Sequence, residues 1–204
     1  MQNIENVIFD LGGVILDIDY NLTRVAFEKL GVLHFNEMYS LATADRLFKN
    51  LEIGTISEEY FYQEFNNCTG LNLTADEIRV AWNAMLLSFR EESLKFLSSV
   101  GTRYRIFLLS NTNFIHLNSF KKIFHQQKRE KLFEEYFEQA FYSCEIGWRK
   151  PDTECYNWVI KKLNIDPNRT LFIDDSQFNI EGAKKAGLQT IQLLPGMKIE
   201  DLGL

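Results

Sequence analysis

Four times along this chain a short apolar run breaks off into residues that carry chemistry, and this pattern restricts the fold more than any other feature. Val7-Ile8-Phe9 ends in Asp10-Leu11-Gly12-Gly13, and Tyr104 to Leu109 ends in Ser110-Asn111-Thr112-Asn113. Gln139 to Tyr142 is soon followed by Gly147-Trp148-Arg149-Lys150-Pro151, and Thr170 to Ile173 ends in Asp174-Asp175-Ser176. A fifth run, Thr190 to Leu194, is stopped by Pro195-Gly196. Short runs rich in β-branched and aromatic residues read as strands buried on both faces. Between them lie helical patterns: Glu92 to Val100, Phe114 to Glu138 in two pieces, Asp152 to Leu163, and Phe178 to Ala186 with Gly187 as its stop. This alternation predicts an α/β, Rossmann-like parallel sheet covered on both faces.

Residues 17–90 interrupt the alternation. They hold no convincing strand and read as amphipathic helices over Thr23–Leu30, Asn36–Asn50, Ser57–Asn67 and Thr74–Phe89, punctuated by Gly31, Gly54 and Gly70. Ser57 stands at a helix start, and Thr74-x-x-Glu77 is a capping-box pattern. The expectation is a core built from 1–16 and 91–204, with a helical cap over 17–90 inserted after the first strand.

Ligands of an open parallel sheet bind outside the carboxyl ends of its strands. Those ends deliver Asp10, Ser110, Asn111, Asp174 and Asp175, with Lys150 close behind the third. Three carboxylates at one rim need a cation to offset them, and hard oxygen ligands suit Mg²⁺. With Ser110, Lys150 and main-chain N–H groups, such a rim cradles a phosphoryl group, and one carboxylate can act as its nucleophile. Composition narrows the partners. With 22 Lys and Arg against 28 Asp and Glu, the net charge is −6, which speaks against sequence-independent nucleic-acid binding. Three cysteines without CxxC spacing speak against a disulfide framework or a zinc site. The first residues lack the basic and apolar regions of a signal peptide, and no apolar run is long enough for a membrane span, so a cytoplasmic location is expected.

The four motifs Asp10-Leu-Gly-Gly-Val, Ser110-Asn-Thr, Arg149-Lys-Pro and Asp174-Asp-Ser-x-x-Asn179 resemble, in order and spacing, those of the haloacid dehalogenase (HAD) superfamily, and the helical insertion resembles its C1-type cap. More closely, FDLGGVILDIDYN, GTISEEYF and DDSQFNIEGA are similar to a bacterial subgroup of capped sugar-phosphate phosphatases of the α-D-glucose-1-phosphate phosphatase type. The resemblance implies strand order 3-2-1-4-5 and hydrolysis of small phosphomonoesters with Mg²⁺ as cofactor. It implies Asp10 as nucleophile and metal ligand, and Asp174, Asp175 and the Gly12 carbonyl as further metal ligands. Ser110 and Asn111 would bind the phosphoryl oxygens, Lys150 would hold both Asp10 and the phosphate, and Asn179 would brace the metal loop. A small phosphorylated metabolite is the expected partner, with the protein a monomer or weak homodimer.

One position departs from the family. Most of its phosphatases carry an acid/base Asp two residues after the nucleophile, where this chain has Gly12. That favours substrates whose leaving oxyanion is already weakly basic, such as sugar 1-phosphates and acyl phosphates; Asp17 or Asp19 is the alternative proton source. Two other functions stay open at this point. One is a hydrolytic dehalogenase using the same Asp without Mg²⁺; the other is a non-catalytic protein that binds phosphorylated metabolites. His34, His116 and His125 lack metal spacing and read as structural, although Asn113 and His116 follow the Ser110 loop within reach of a substrate. Tyr20, Phe48, Trp82 and Trp148 are the aromatic candidates for lining a cap–core cleft.

Overall fold

The computed structural model describes residues 3–33, 35, 42–128 and 130–204. Its strands are β1 (Asn6–Phe9), β2 (Leu16–Ile18), β3 (Leu86–Phe89), β4 (Arg105–Ser110), β5 (Gln139–Tyr142), β6 (Thr170–Asp174) and β7 (Gln189–Gln192). Five of them form a parallel sheet in the order β5-β4-β1-β6-β7, which is the expected 3-2-1-4-5 when these strands alone are counted. The described helices are α1 (Tyr20–Lys29), α2 (Ala42–Glu52), α3 (Glu58–Thr69), α4 (Ala75–Asn83), α5 (Glu91–Val100), α6 (Phe114–Gln127), α7 (Ser143–Ile146), α8 (Thr153–Leu163) and α9 (Gln177–Lys185).

The two-residue period of a strand sorts each apolar run into two layers. Val7 and Phe9 of β1, Ile106 and Leu108 of β4, and Leu171 and Ile173 of β6 face one layer, which α5 and α6 cover with Leu94, Leu97, Phe120 and Phe124. Ile8, Phe107, Leu109 and Phe172 face the other, covered by Tyr156 and Val159 of α8 and Ile180 and Ala183 of α9. Burying such side chains contributes roughly 1.5–3 kcal/mol each, so β1 and its neighbours make a rigid floor. Register then does the positioning. Phe9 pairs with Leu108 on one side and Ile173 on the other, so Asp10 and Asp174 emerge side by side, with Ser110 just beyond.

Helices α1 to α4 enclose a second apolar cluster, with Phe27, Leu51, Phe61, Phe65, Ile78 and Trp82 buried in it and Ile115 of α6 joining from the sheet side. Its rings pack face to face and edge to face, as in Phe27 against Phe35 at 4.8 Å and Phe48 against Trp82 at 4.9 Å. The caps read in the sequence are present. Ser57 Oγ accepts from Tyr60 N–H, and Thr74 and Glu77 form the reciprocal capping box.

The expected helix over Thr74–Phe89 is corrected. It stops at Asn83, and Leu86–Phe89 is strand β3, paired antiparallel with β2 so that Leu16 faces Phe89 and Ile18 faces Leu86. A short apolar run cannot choose between helix and strand by periodicity, and here a partner strand from the far side of the helical lobe decides it. The two strands form a ribbon at the root of the lobe. Arg90, next after β3, fastens it: its guanidinium donates to Asp17 Oδ1 at 2.6 Å and to the carbonyls of Gly13 and Val14 at 2.9 and 3.1 Å. Asp17 is thereby an anchor of the ribbon. The two-piece segment after β4 is α6 followed by a single 3-10 turn at Phe133–Tyr136. The start of the expected helix over Asn36–Asn50, and His34, lie outside the described residues.

Helix α9 approaches the loop bearing Lys150 so closely that a side chain is excluded at one point. A Cβ on Gly182 would fall inside van der Waals contact with the Pro151 carbonyl oxygen and against the Tyr156 ring. Gly182→Ala should therefore destabilise the protein by about 1–3 kcal/mol through overpacking, although alanine is the better helix former. Denaturant unfolding of the variant checks this, with the midpoint expected to fall.

Candidate active site

The carboxyl edge of the sheet gathers the motif residues at one place. Lys150 arrives on the loop after α7, almost fully buried, and its ammonium donates to Asp10 Oδ1 at 2.6 Å and to Asp174 Oδ2 at 2.7 Å. Asp174 is completely buried, and every contact made by its oxygens is a donor: Ser176 N–H at 2.8 Å, Asn179 Nδ2 at 3.0 Å and Lys150. Asp175 instead presents an exposed carboxylate at the rim. Gly13 makes room for it. Its φ of +73° suits glycine, and a Cβ there would overlap Asp175 Oδ2.

Charges at the site are unbalanced. Oxygen atoms of Asp10, Asp174 and Asp175 lie within 4.8 Å of one another, against the single ammonium of Lys150. Burial pushes the Asp10 carboxyl up to about 7; Lys150 pulls the other way and Asp174 pushes further upward. Asp175, at the rim but partly enclosed, is also raised, by lost solvation first and by Asp174 second. Burial opposes the charged form of Lys150, but the two carboxylates prevail and hold its ammonium above the ordinary lysine value. An excess of negative charge on hard oxygen donors fits a small divalent cation such as Mg²⁺ and does not fit thiolate-seeking metals.

Asn111 is placed beside Lys150 with its amide engaged. Nδ2 donates to the Lys150 carbonyl at 2.8 Å and Oδ1 accepts from Lys150 N–H at 2.9 Å. Its side chain aligns the lysine loop, and its own main-chain N–H is the group it can offer an anion. Asn179 contacts Asp174 from beneath. Two functional side chains escaped the sequence reading. Ser143 bridges the Thr112 N–H and C=O at 2.8 Å each, fixing the loop after β4. Arg90 holds the Gly13–Val14 turn. Neither carries a motif signal, because each acts only through a distant partner.

Above this edge lies a cleft of about 640 Å³ between the sheet and the helical lobe. It is lined by Asp10, Gly12, Ser110, Asn111, Lys150, Asp175 and Asn179 below, and by Ile18, Tyr20, Trp82, Met85 and Leu86 above. Asn113 and His116 line it, whereas Asp17 and Asp19 do not: Asp17 is bound to Arg90, and Asp19 caps α1 by accepting from Asn21 N–H. Among the aromatic candidates, Tyr20 and Trp82 line the cleft, while Phe48 is buried in the lobe and Trp148 is not among the lining residues. Phe178, not singled out in the sequence, stands exposed at the mouth. Across the seam, Arg149 of the sheet side pairs with Glu52 of α2 at 2.9 Å.

A sequence model of haloacid dehalogenase-like hydrolases matches residues 4–187. The chain belongs to the haloacid dehalogenase-like hydrolase family. It is 31% identical to a D-ribitol-5-phosphate phosphatase of Bacteroides thetaiotaomicron, over 93% of this chain and 91% of that one. A crystal structure of a HAD-family enzyme from the same organism superposes with a TM-score of 0.91 at 31% identity, covering 98% of each chain. A wild-type complex of that enzyme with magnesium and inorganic phosphate gives 0.90, over 98% of this chain and all of that one. The family places this strand-edge cluster in a hydrolase.

His116 gives the site a pH signature. Burial lowers its pKa to about 3, so the folded protein keeps it neutral where the unfolded chain, at about 6.5, takes up a proton. The unfolded state binds more protons between these values, and stability falls as pH drops from about 6.5 toward 3, by at most about 1.4 kcal/mol per pH unit. In a His116→Phe variant this contribution disappears. Urea unfolding at pH 7 and pH 4.5 should show a smaller acid-side loss in the variant than in the wild type.

Proposed function

We propose that the protein is a magnesium-dependent phosphatase of small phosphorylated metabolites, sugar phosphates foremost, acting through an aspartyl-phosphate on Asp10. The observation that carries this reading is the buried Lys150 ammonium between Asp10 and Asp174, at the base of a cleft with a third carboxylate at its rim. The phosphatase relative, and the magnesium and phosphate complex of the structural neighbour, support it.

The chemistry follows from the placement of the side chains. Lys150 holds one oxygen of Asp10 and leaves the other to attack phosphorus. The phosphorus–oxygen bond to the leaving group breaks, and its electron pair departs with that oxygen. Ser110 Oγ and the main-chain N–H of Asn111 take the phosphoryl oxygens, and the lysine charge offsets theirs. Water then attacks the phosphorus of the aspartyl-phosphate, releasing inorganic phosphate and restoring Asp10. Mg²⁺, when bound by Asp10, Asp175 and the Gly12 carbonyl with Asp174 behind them, supplies positive charge that draws the phosphate in and favours attack. In this reading residues 17–90 are a cap over a core of 1–16 and 91–204. The β2–β3 ribbon is its hinge, and closure excludes water.

Gly12 bears on the choice of substrate. A Cβ at this position would meet Ile18 Cδ1 at 3.1 Å, and the carboxyls that line the cleft are otherwise committed: Asp10 and Asp175 are proposed metal ligands, and Glu52 is paired with Arg149. The leaving oxygen then takes its proton from solvent, and general-acid help of about 10²–10⁴-fold is forgone. Sugar 1-phosphates such as glucose 1-phosphate, and acyl phosphates, leave more readily than simple alkoxides and are the favoured substrates.

Chelation with EDTA should abolish phosphate release and Mg²⁺ should restore it; turnover that survives chelation would point to a metal-free hydrolase. Asp10→Asn should lower kcat by at least about 10³-fold while inorganic phosphate still binds in the presence of Mg²⁺, as calorimetry would show. In a substrate panel, glucose 1-phosphate should outpace glycerol phosphate, and equal rates would overturn the leaving-group argument.

A further inference from the structure

His116 lines the reaction cleft but takes no part in the phosphoryl chemistry. It sits in the first turn of α6, where Asn113 Oδ1 caps the helix by accepting from the His116 N–H at 2.9 Å. Its ring lies flat against Trp82, with centroids 5.2 Å apart and planes 14° from parallel, and Trp82 is itself stacked on Phe48. The imidazole is thus clamped by the lobe although its backbone belongs to the sheet side.

Its one side-chain hydrogen bond selects the tautomer. Nδ1 faces Asn83 Oδ1 at 2.8 Å, and an amide oxygen only accepts, so Nδ1 carries the proton and Nε2 keeps a lone pair. Burial keeps the ring neutral across the physiological range. No described residue is hydrogen-bonded to Nε2, and His116 lines the cleft together with the apolar side chains of Trp82, Met85 and Phe120. An acceptor fixed in such a wall favours a ligand bearing a hydrogen-bond donor and disfavours another anion, whose oxygens only accept.

We propose that His116 is a specificity-determining residue, whose Nε2 accepts a hydrogen bond from a hydroxyl on the leaving group of a sugar or polyol phosphate. The proposal rests on the phosphatase reading above and sharpens it. The selected substrate has a phosphoryl group at Asp10 and Lys150 and a hydroxyl within reach of α6, beside Trp82 of the lobe. Because Asn83 and Trp82 orient the ring, the hydroxyl is read only where lobe and sheet meet.

The test compares kcat/KM for D-ribitol 5-phosphate and glucose 1-phosphate with that for p-nitrophenyl phosphate, which has no hydroxyl, in the Mg²⁺-loaded wild type and in His116→Phe. Phenylalanine keeps a ring against Trp82 and removes the acceptor. The selectivity ratio for the preferred sugar phosphate over p-nitrophenyl phosphate should fall about tenfold or more, mainly through KM. An equal loss on all substrates would mark His116 as merely structural and overturn the proposal, as would an unchanged ratio. A second arm needs no variant: deoxy analogues of the preferred substrate are tested on the wild type. Removing one particular hydroxyl should cost about tenfold or more, and the absence of any such position would overturn the proposal. If the wild type hydrolysed none of these phosphates, the phosphatase reading itself would fall and this proposal with it. Turnover without the His116 effect would remove the proposal alone.

Discussion

A lysine ammonium buried between two aspartates holds this molecule's working edge together. Lys150 comes from a loop and has no strand to fix it; its position is defined by Asp10 at the end of β1 and Asp174 at the end of β6. Separating such charges in a buried place leaves each without compensation, which is costly. The supporting contacts all serve this arrangement. The Asn111 amide aligns the lysine backbone, and Asn179 and the Ser176 N–H hold Asp174 from the other side. Helix α9 lies so tightly on Pro151 that only glycine fits at 182. The same arrangement leaves charge uncompensated: one ammonium does not balance three carboxylates, and the remaining negative charge is what the proposed divalent cation would offset.

A second constraint is how the helical lobe is attached. Its two ends leave and rejoin the core side by side as the β2–β3 ribbon, tied by Arg90 to the turn carrying Gly12 and Gly13. That turn borders Asp10 and Asp175, so the attachment of the lobe and the geometry of the carboxylates share one structural element. Opposite the ribbon, Glu52 meets Arg149 one residue from the central lysine, and Asn83 and Trp82 meet His116. The lobe therefore meets the cleft at three places, and Ile115 of α6 reaches into its apolar interior.

How far the site could be read beforehand depended on whether a residue's role is local. Asp10, Ser110, Asp174 and Asp175 follow buried strands directly, and a strand end in a parallel sheet is a place of known orientation. The engagement of the Asn111 amide with the lysine backbone, the bridge made by Ser143 and the grip of Arg90 depend on contacts between segments far apart in the chain. No spacing rule reports them. Strand β3 reads as helix in the sequence for the same reason, since its partner lies beyond the whole helical lobe. The aromatic residues show the limit most clearly. Trp82 and Phe48 look alike in sequence as cleft-lining candidates, yet Trp82 borders the cleft and Phe48 is packed inside the lobe.

Chain order alone dictated the sheet, its helical interruption and the chemical character of its edge, because apolar periodicity and abrupt polar termini are local properties that survive into the folded state. It also dictated that position 12, two residues after Asp10, carries no carboxyl. Folding decided the rest: which oxygen Lys150 holds, which aspartate is sealed and which faces the cleft, and which nitrogen of His116 remains open. These are outcomes of packing and electrostatics among segments brought together from across the chain, and they exist only once burial has removed the water that would otherwise have satisfied each group separately.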